Sequence, residues 1–265
     1  MATFHPCFGQ KKRQLNTPLW HLLTSTNSLR GSARLLRINR KTVSRKLKFL
    51  GFEGRLEHAR FLAERVQERG PFRNIQFDEM ETLEHTKCKP ISIPLVVERG
   101  TRLILGIGAC SMPAKGLLVE KAREKYAFRV DHRRATILSV LTGITPHLAE
   151  NTLITSDSNP HYPSLIRLGL PGCRHSQIQG RRSSIGGQGE LKKTGWDPIF
   201  ALNHTAASLR ANVSRLIRKT WCTTKKVSAL EDHLTLYAVR HNREIVAKER
   251  RKSALDARRL ASVAA

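Results

Sequence analysis

Three alternating apolar runs follow one another in the middle of the chain, and they constrain the fold more than any other feature. In "NIQFDEMETLE", Ile75 and Phe77 alternate with polar residues, which is the two-residue period of a strand. The runs "PISIPLVVERG" and "TRLILGIGACS" repeat that period, and Arg99-Gly100 between them is typical of a hairpin turn. The in-phase residues of the second run are Ile91, Ile93, Leu95 and Val97. The sequence therefore predicts three consecutive strands, of which the second and third are antiparallel.

Helical and extended segments alternate after the third strand. Two helical patterns ("GLLVEKAREKY" and "DHRRATILSVLTGI") precede an apolar run that ends in Asp157. A short helix from about Tyr162 to Leu168, a brief strand near "HSQIQG", a Gly-rich basic loop at 180–195 and a helix from Pro198 to about Lys219 follow. This order indicates an α/β domain that starts with a hairpin.

The charge balance indicates a polyanionic partner. The chain of 265 residues has 47 Lys and Arg against 21 Asp and Glu, a net charge of +26. Such an excess repels itself unless a polyanion shares the surface, and nucleic acid is the usual one. A ribosomal or histone-like protein that only neutralises phosphates is the plainer alternative. Since no apolar run is long enough for a spanning helix or a signal peptide, we expect a cytosolic, nucleoid-associated protein without membrane contact.

The segment from Pro18 to Leu50 is helical in pattern and nearly free of acid. A break at Arg37-Ile38-Asn39 separates one short helix from the next, whose residues Val43, Leu47 and Leu50 face inward. Two helices joined by such a tight turn predict a helix-turn-helix, although a plain basic helical hairpin has the same pattern. The second helix carries the candidate DNA-binding residues Arg40, Lys41, Thr42, Ser44, Arg45 and Lys48.

The chain divides into five segments on these patterns. Residues 1–17 are a basic arm, 18–50 the helix-turn-helix domain, 51–70 a helical linker, 71–242 the α/β domain and 243–265 a basic C-terminal tail. The linker should bury Leu56, Phe61 and Val66 along one face. The tail is expected to be a basic helix or a disordered, solvated arm.

Two aspartates occupy informative positions in this acid-poor chain. Asp78 lies in the first strand opposite the Phe77 face, and Asp157 ends the fourth strand before Ser158-Asn159-Pro160. Strands in this order are commonly neighbours, which would bring the carboxylates together. Paired carboxylates need a cation to offset their repulsion, and their oxygens suit Mg²⁺ or Mn²⁺. Taken singly, each has a better structural explanation, an exposed strand-end acid for Asp78 and an Asx-turn for Asp157, but their joint placement in this strand order favours the metal site.

The helix after Asp197-Pro198 supplies a third candidate. Asp197 has a sufficient structural role as an N-cap before a proline at N1. Asn203 lies beside the apolar stripe, where its carbonyl oxygen can reach the ends of the strands and coordinate a metal. Arg210 adds positive charge on the same helix, and we count it among the DNA-binding candidates.

Three blocks of the sequence resemble a known family. They are "FDEMETLEHTKCKPISIPLVVE…ILGIG", "ITSDSNPHYP" and "LNHTAASLRANVSRLIRKTWCTTKK…LYAVRHN", in this order. Together they look like bacterial insertion-sequence transposases of the ribonuclease-H-like DDE class, in a branch whose third catalytic residue is Asn. Family members carry a Cys-rich zinc ribbon before the segment that matches "QKKRQLN"; here Cys7 stands alone, so we expect this chain to lack the ribbon.

The resemblance implies a fold, a site and an activity. The fold would be a ribonuclease-H-like mixed sheet with flanking helices, preceded by a small all-α helix-turn-helix domain. Asp78, Asp157 and Asn203 would correspond to the catalytic, metal-binding triad for two Mg²⁺ or Mn²⁺ ions. The activity would be cleavage and strand transfer on double-stranded DNA, at element ends and target, by a homo-oligomer. An inactive remnant, a non-enzymatic DNA-binding protein and a nuclease that cuts without joining are the alternatives.

Overall fold

The computed structural model describes Cys7 and residues 10–179, 197–217 and 222–263, with side chains up to residue 256. The predicted Gly-rich loop at 180–195, most of the arm before residue 10 and the predicted helix end at Lys219 lie outside the described residues.

The described part of the chain contains six strands and eight α-helices. The strands are β1 (Phe72–Glu84), β2 (Thr86–Glu98), β3 (Ile104–Ile107), β4 (Cys110–Ser111), β5 (Leu148–Asp157) and β6 (Arg174–Ile178). The helices are α1 (Asn16–Thr24), α2 (Leu29–Leu35), α3 (Arg40–Arg69), α4 (Val119–Tyr126), α5 (Arg133–Ile144), α6 (Tyr162–Gly169), α7 (Phe200–Asn212) and α8 (Val227–Val263). None of these helices combines the length and apolar composition that crossing a bilayer requires.

The strands form one mixed sheet in the order β3-β2-β1-β5-β6, with β4 paired to β2. The pairs β1–β2 and β2–β3 are antiparallel, whereas β1–β5 and β5–β6 are parallel. The predicted antiparallel hairpin around Arg99-Gly100 is therefore confirmed. The α/β class is also confirmed, and this mixed sheet with flanking helices is compatible with the ribonuclease-H-like arrangement that the resemblance implies.

Apolar side chains cover both faces of the sheet. On one face, Ile75, Phe77 and Ile154 pack with residues of α5 and α6. On the other face, the four in-phase residues of β2 pack with residues of α7 and α8. Because β1 and β5 lie in the middle of the sheet, their ends are held between two helical layers. This position fixes the backbone on which Asp78 and Asp157 lie.

The three N-terminal helices share a small core that also includes a residue of α8. Val43 and Leu47 are buried in it as the sequence predicts, together with Leu236. Helix α2 begins at Ser28, whose Oγ accepts from Gly31 N (3.0 Å), and α3 begins at Asn39, whose Oδ1 accepts from Lys41 N (2.8 Å). Only residues 36–39 separate the end of α2 from the start of α3, and the Asn39 cap closes this tight connection, as expected of a helical hairpin.

Helix α3 is one continuous element of 30 residues, so the predicted boundary between residues 50 and 51 falls inside a helix. The prediction that Leu56 is buried is wrong, because 52% of this residue is exposed. The reason is that α3 approaches α8 through its glycines: a side chain at Gly51 would collide with Asp232. The glycine face points to α8 and turns Leu56 to solvent.

The C-terminal segment is helical rather than a free arm. Helix α8 extends over 37 residues and includes residues 243–263. Val246 is buried in the core, and Glu249 forms an ion pair with Arg65 (2.7 Å). The expectation of a solvated tail is thus wrong for the part that packs on α3. The helix predicted from Pro198 to about Lys219 is also shorter, because the backbone turns extended at Val213.

Candidate active site

The sheet places Asp78 and Asp157 side by side. Phe77 of β1 is the parallel partner of Ser156 of β5, and the two aspartates are the next residue on each strand. Adjacent strands lie about 4.8 Å apart. Burial is the main cause that raises the pKa of Asp78, and the nearby negative charge of Asp157 raises it further. The sheet therefore brings together two candidates that belong to separate strands of the chain.

The end of β5 is a tight polar turn. Asp157 Oδ1 accepts a hydrogen bond from the Asn159 backbone N–H (3.1 Å), and Asn159 Oδ1 accepts from the His161 N–H (3.0 Å). The Asx-turn that the sequence allowed for Asp157 is thus present. It uses one carboxylate oxygen as an acceptor from one N–H, so the turn and a ligand role are compatible.

Asp78 is a carboxylate with an unusually high proton affinity. Burial is the main cause and raises its pKa from 3.8 to about 6. The backbone N–H of Glu79 (2.7 Å) and the hydroxyl of Tyr162 (2.9 Å) both donate to Oδ1 and act in the opposite direction. Near neutral pH this site therefore holds a charge that its surroundings only partly stabilise.

A buried glutamine on β1 attaches the start of α7 to the sheet. Gln76 Nε2 donates to the Pro198 carbonyl (2.7 Å), and Gln76 Oε1 accepts from the Leu202 N–H (3.0 Å). Gln76 and Asp78 are two residues apart on one strand and so point to the same face. The first turn of α7 consequently lies in the layer that Asp78 faces.

Asn203 follows Leu202 in that first turn, but its recorded partner is a different acid. Its Nδ2 donates to Asp197 Oδ2 (2.9 Å), and the residue is exposed. Asp197 Oδ1 accepts in turn from the Ile199 N–H (3.0 Å). Asn203 thus lies in the helical layer that Asp78 faces, while its amide contacts Asp197 rather than either sheet aspartate.

Tyr162 and Gln76 are site residues that the sequence does not predict. The local patterns indicate only that Tyr162 starts a short helix and that Gln76 lies on the polar side of an alternating strand. A polar residue between Ile75 and Phe77 in a strand that is central to the sheet was a usable signal, because a buried amide must find partners. Nothing local indicated that Tyr162 would reach β1.

Basic side chains surround the Asp157 side of the site. A cavity of about 650 Å³ is lined by Lys115, Arg133, Asp157, Asn159, His161 and Gln179, among others. Arg133 also forms a bidentate-type pair with Asp131, which lowers the pKa of the Asp131 carboxyl and keeps it charged. The arrangement suits a phosphate group next to Asp157.

The oxygen atoms of the candidate ligands have the right chemistry for a hard divalent cation, but they are few. Asp78, Asp157 and the carbonyl of Asn203 offer only oxygen ligands, and a cation would offset both the burial that mainly raises the pKa of Asp78 and the smaller contribution of the Asp157 charge. Among the described residues, no group of three or more His, Cys, Asp or Glu is arranged to hold a metal ion. Any metal site here consists of two carboxylates completed by amide oxygen, water or substrate.

The candidate DNA-binding residues lie at the exposed start of α3. Arg40, Lys41, Ser44, Arg45 and Lys48 are exposed and Thr42 is half-buried. Arg210 lies in the last turn of α7 and is half-buried. Lys46, the residue after Arg45 on α3, is buried, and its Nζ donates to Asn16 Oδ1 (2.6 Å). It is therefore not one of the solvent-facing cations.

Comparison with solved structures gives distant likenesses. No family model and no curated protein matches the chain. Among solved structures, it is similar to the Mos1 strand transfer complex at 11% identity and a TM-score of 0.27, over 94% of this chain and 81% of that one. It is also similar to a pre-cleavage Mos1 transpososome at 10% identity and a TM-score of 0.20, over 94% and 82%. At these scores neither likeness establishes a shared fold.

Proposed function

We propose that this chain is a DNA transposase: a metal-dependent polynucleotidyl transferase with a ribonuclease-H-like catalytic domain and an N-terminal helix-turn-helix. The observation that carries the proposal is the adjacency of Asp78 and Asp157 at the end of the β1–β5 pairing, in a chain of charge +26. An acid pair at the middle of a sheet is costly without a cation, and a basic surface is costly without a polyanion.

Each residue of the site has a role in this proposal. Asp78 and Asp157 would hold Mg²⁺ or Mn²⁺, and the Asn203 carbonyl would complete the ligand set. Paired ions of this kind stabilise the attacking and leaving oxygens of a phosphoryl displacement. Lys115 and Arg133 would orient the phosphate beside Asp157, since both line the same cavity. Tyr162 would keep Asp78 in place through its hydroxyl.

The substrate would be double-stranded DNA at the ends of an insertion element. Water would cleave a phosphodiester there, and the freed 3′-hydroxyl would attack target DNA at the same site. The exposed cations at the start of α3 would contact the phosphate backbone while its first polar residues meet base edges.

The test is strand cleavage by the purified protein with Mn²⁺ or Mg²⁺, on supercoiled plasmid and on a duplex with the repeats that flank its reading frame. Asp157→Asn should reduce cleavage at least a hundredfold. Asp256→Asn removes one negative charge from an exposed position on α8 and is the matched control. Cleavage by Asp157→Asn at the wild-type rate would refute the assignment. Joining of cut 3′ ends to target separates a transposase from a nuclease that only cuts.

One observation favours a second function. The Asn203 amide contacts Asp197 rather than Asp78 or Asp157, which is what an inactive copy or a non-enzymatic helix-turn-helix DNA-binding protein would show. That protein would bind DNA with strong salt dependence, would not respond to Mn²⁺ and would yield no cut ends.

A further inference from the structure

A second cluster of basic and aromatic side chains lies at the far end of the β1–β2 hairpin. We call it the Phe128 surface and define it by Lys89, Tyr126, Phe128 and Arg129. Glu84, which pairs with Arg129, is six residues beyond Asp78 on β1. At about 3.3 Å per strand residue, the surface lies roughly 20 Å from the paired aspartates. It is therefore separate from the candidate active site.

Arg129 has hydrogen-bond donors that the protein does not use. Its Nη1 donates to Glu84 Oε2 (3.0 Å), but its Nε and Nη2 are buried without a partner. Leaving a buried charged donor unpaired is unfavourable, and native structures rarely do so without a reason. Arg129 also lines a cavity of about 300 Å³, to which it contributes positive charge, while its two unpaired donors lie beneath the surface.

The aromatic rings beside Arg129 are presented to solvent. Phe128 is 75% exposed, and the Lys89 Nζ lies 4.3 Å from the centroid of the Tyr126 ring. Between the two aromatics, Ala127 has φ 59° and ψ −166°, a backbone conformation that is nearly restricted to glycine. A strained residue that turns an apolar ring outwards is unfavourable for the free protein, which indicates a binding surface.

We infer that the Phe128 surface binds an unpaired nucleotide of the DNA strand, with the base stacked on Phe128 and its phosphate at Lys89, next to the positive charge of Arg129. Aromatic rings with adjacent cations are how proteins hold single strands, because every base has a face that stacks. In an intact duplex that face is covered, so the ligand is an unpaired end or loop. The inference rests on the proposed function only in taking DNA as the ligand.

The test measures DNA binding in EDTA, so that it does not depend on cleavage. A labelled oligothymidylate and a duplex of equal length are titrated by fluorescence anisotropy against wild type and Phe128→Ala. We expect Phe128→Ala to bind the single strand about tenfold more weakly and the duplex unchanged. The matched control is Phe52→Ala. Phe52 is also an exposed phenylalanine but lies on α3, and its variant should bind the single strand and the duplex like wild type. Lys89→Gln should weaken single-strand binding and make it less salt-dependent.

Three results would overturn the inference: unchanged single-strand affinity in Phe128→Ala, an equal loss for single strand and duplex, or a change of oligomeric state with DNA binding intact. The last would identify the surface as a contact between copies of the chain. Because Phe128 is exposed, its variant should melt like wild type. Failure of Asp157-dependent cleavage would leave this measurement readable, so the two proposals fail separately.

Discussion

The hydroxyl of Tyr162 donates a 2.9 Å hydrogen bond to Oδ1 of Asp78. Tyr162 opens α6, just after the turn that contains Asp157, and its ring packs edge-on against Phe77 with centroids 4.8 Å apart. A single buried side chain thus connects the segment after one aspartate to the other aspartate. The geometry of the pair depends on this contact as well as on the sheet.

Tyr162→Phe keeps the ring packing and removes the hydrogen bond. Because that bond lowers the pKa of Asp78, the variant should have a higher Asp78 pKa, and the acidic limb of its cleavage–pH profile should move to higher pH. We also expect a loss of about 1 kcal/mol in unfolding free energy. The control is Tyr237→Phe, which removes the hydroxyl of another buried tyrosine, on α8, and should leave the profile unchanged. A profile that does not move would show that Tyr162 only fills space.

Asp78→Asn should stabilise the protein near neutral pH while abolishing cleavage. The folded pKa of about 6 exceeds the ordinary 3.8, so the contribution of Asp78 to stability is complete below 3.8 and is lost as the pH rises through 6. The amide in Asp78→Asn does not ionise, so the variant keeps this contribution to the free energy of unfolding as the pH rises. Its advantage in unfolding free energy should be about 2–3 kcal/mol at pH 7.5 and near zero at pH 4. Urea unfolding at both pH values, with Asp256→Asn as control, measures this. An advantage that is equal at both pH values would contradict it.

Asn203→Ala tests whether the amide belongs to the site. Asn203 is exposed, so we expect cleavage to fall at least tenfold with little change in melting temperature. Asp197→Ala should instead cost about 1 kcal/mol of stability, because the Ile199 N–H, just before α7, loses its hydrogen-bond acceptor. Asn212→Ala, at the end of the same helix, is the control. Full activity in Asn203→Ala would show that Asn203 only helps to hold the start of α7 and has no part in the site.

Lys41→Ala/Arg45→Ala should weaken duplex binding and flatten its salt dependence. Each lost phosphate contact lowers the slope of log affinity against log salt by about 0.9, so the double variant should lose nearly 2. Arg251→Ala/Lys252→Ala removes the same charge from exposed positions of α8 and should leave the slope unchanged. Equal losses in both double variants would mean that net charge, rather than the start of α3, binds DNA.

The sequence by itself determined the local elements and the residues with chemistry on them. Alternation placed Ile91, Ile93, Leu95 and Val97 on one buried face, and Arg99-Gly100 fixed an antiparallel hairpin. Ser158-Asn159-Pro160 ended β5 at Asp157. These features are local, because burial period and turn chemistry are encoded within a few residues.

Only the tertiary structure decided which of these residues meet. The element order already predicts that β1 and β5 are neighbours, whereas the reach of Tyr162 to Asp78 and the attachment of α7 by Gln76 join segments that no local pattern connects. The same packing buried Lys46 against Asn16 while Arg45 stayed exposed, and it turned Leu56 outwards. Such partners follow from how helices and sheet fit together, so no local pattern of residues specifies them.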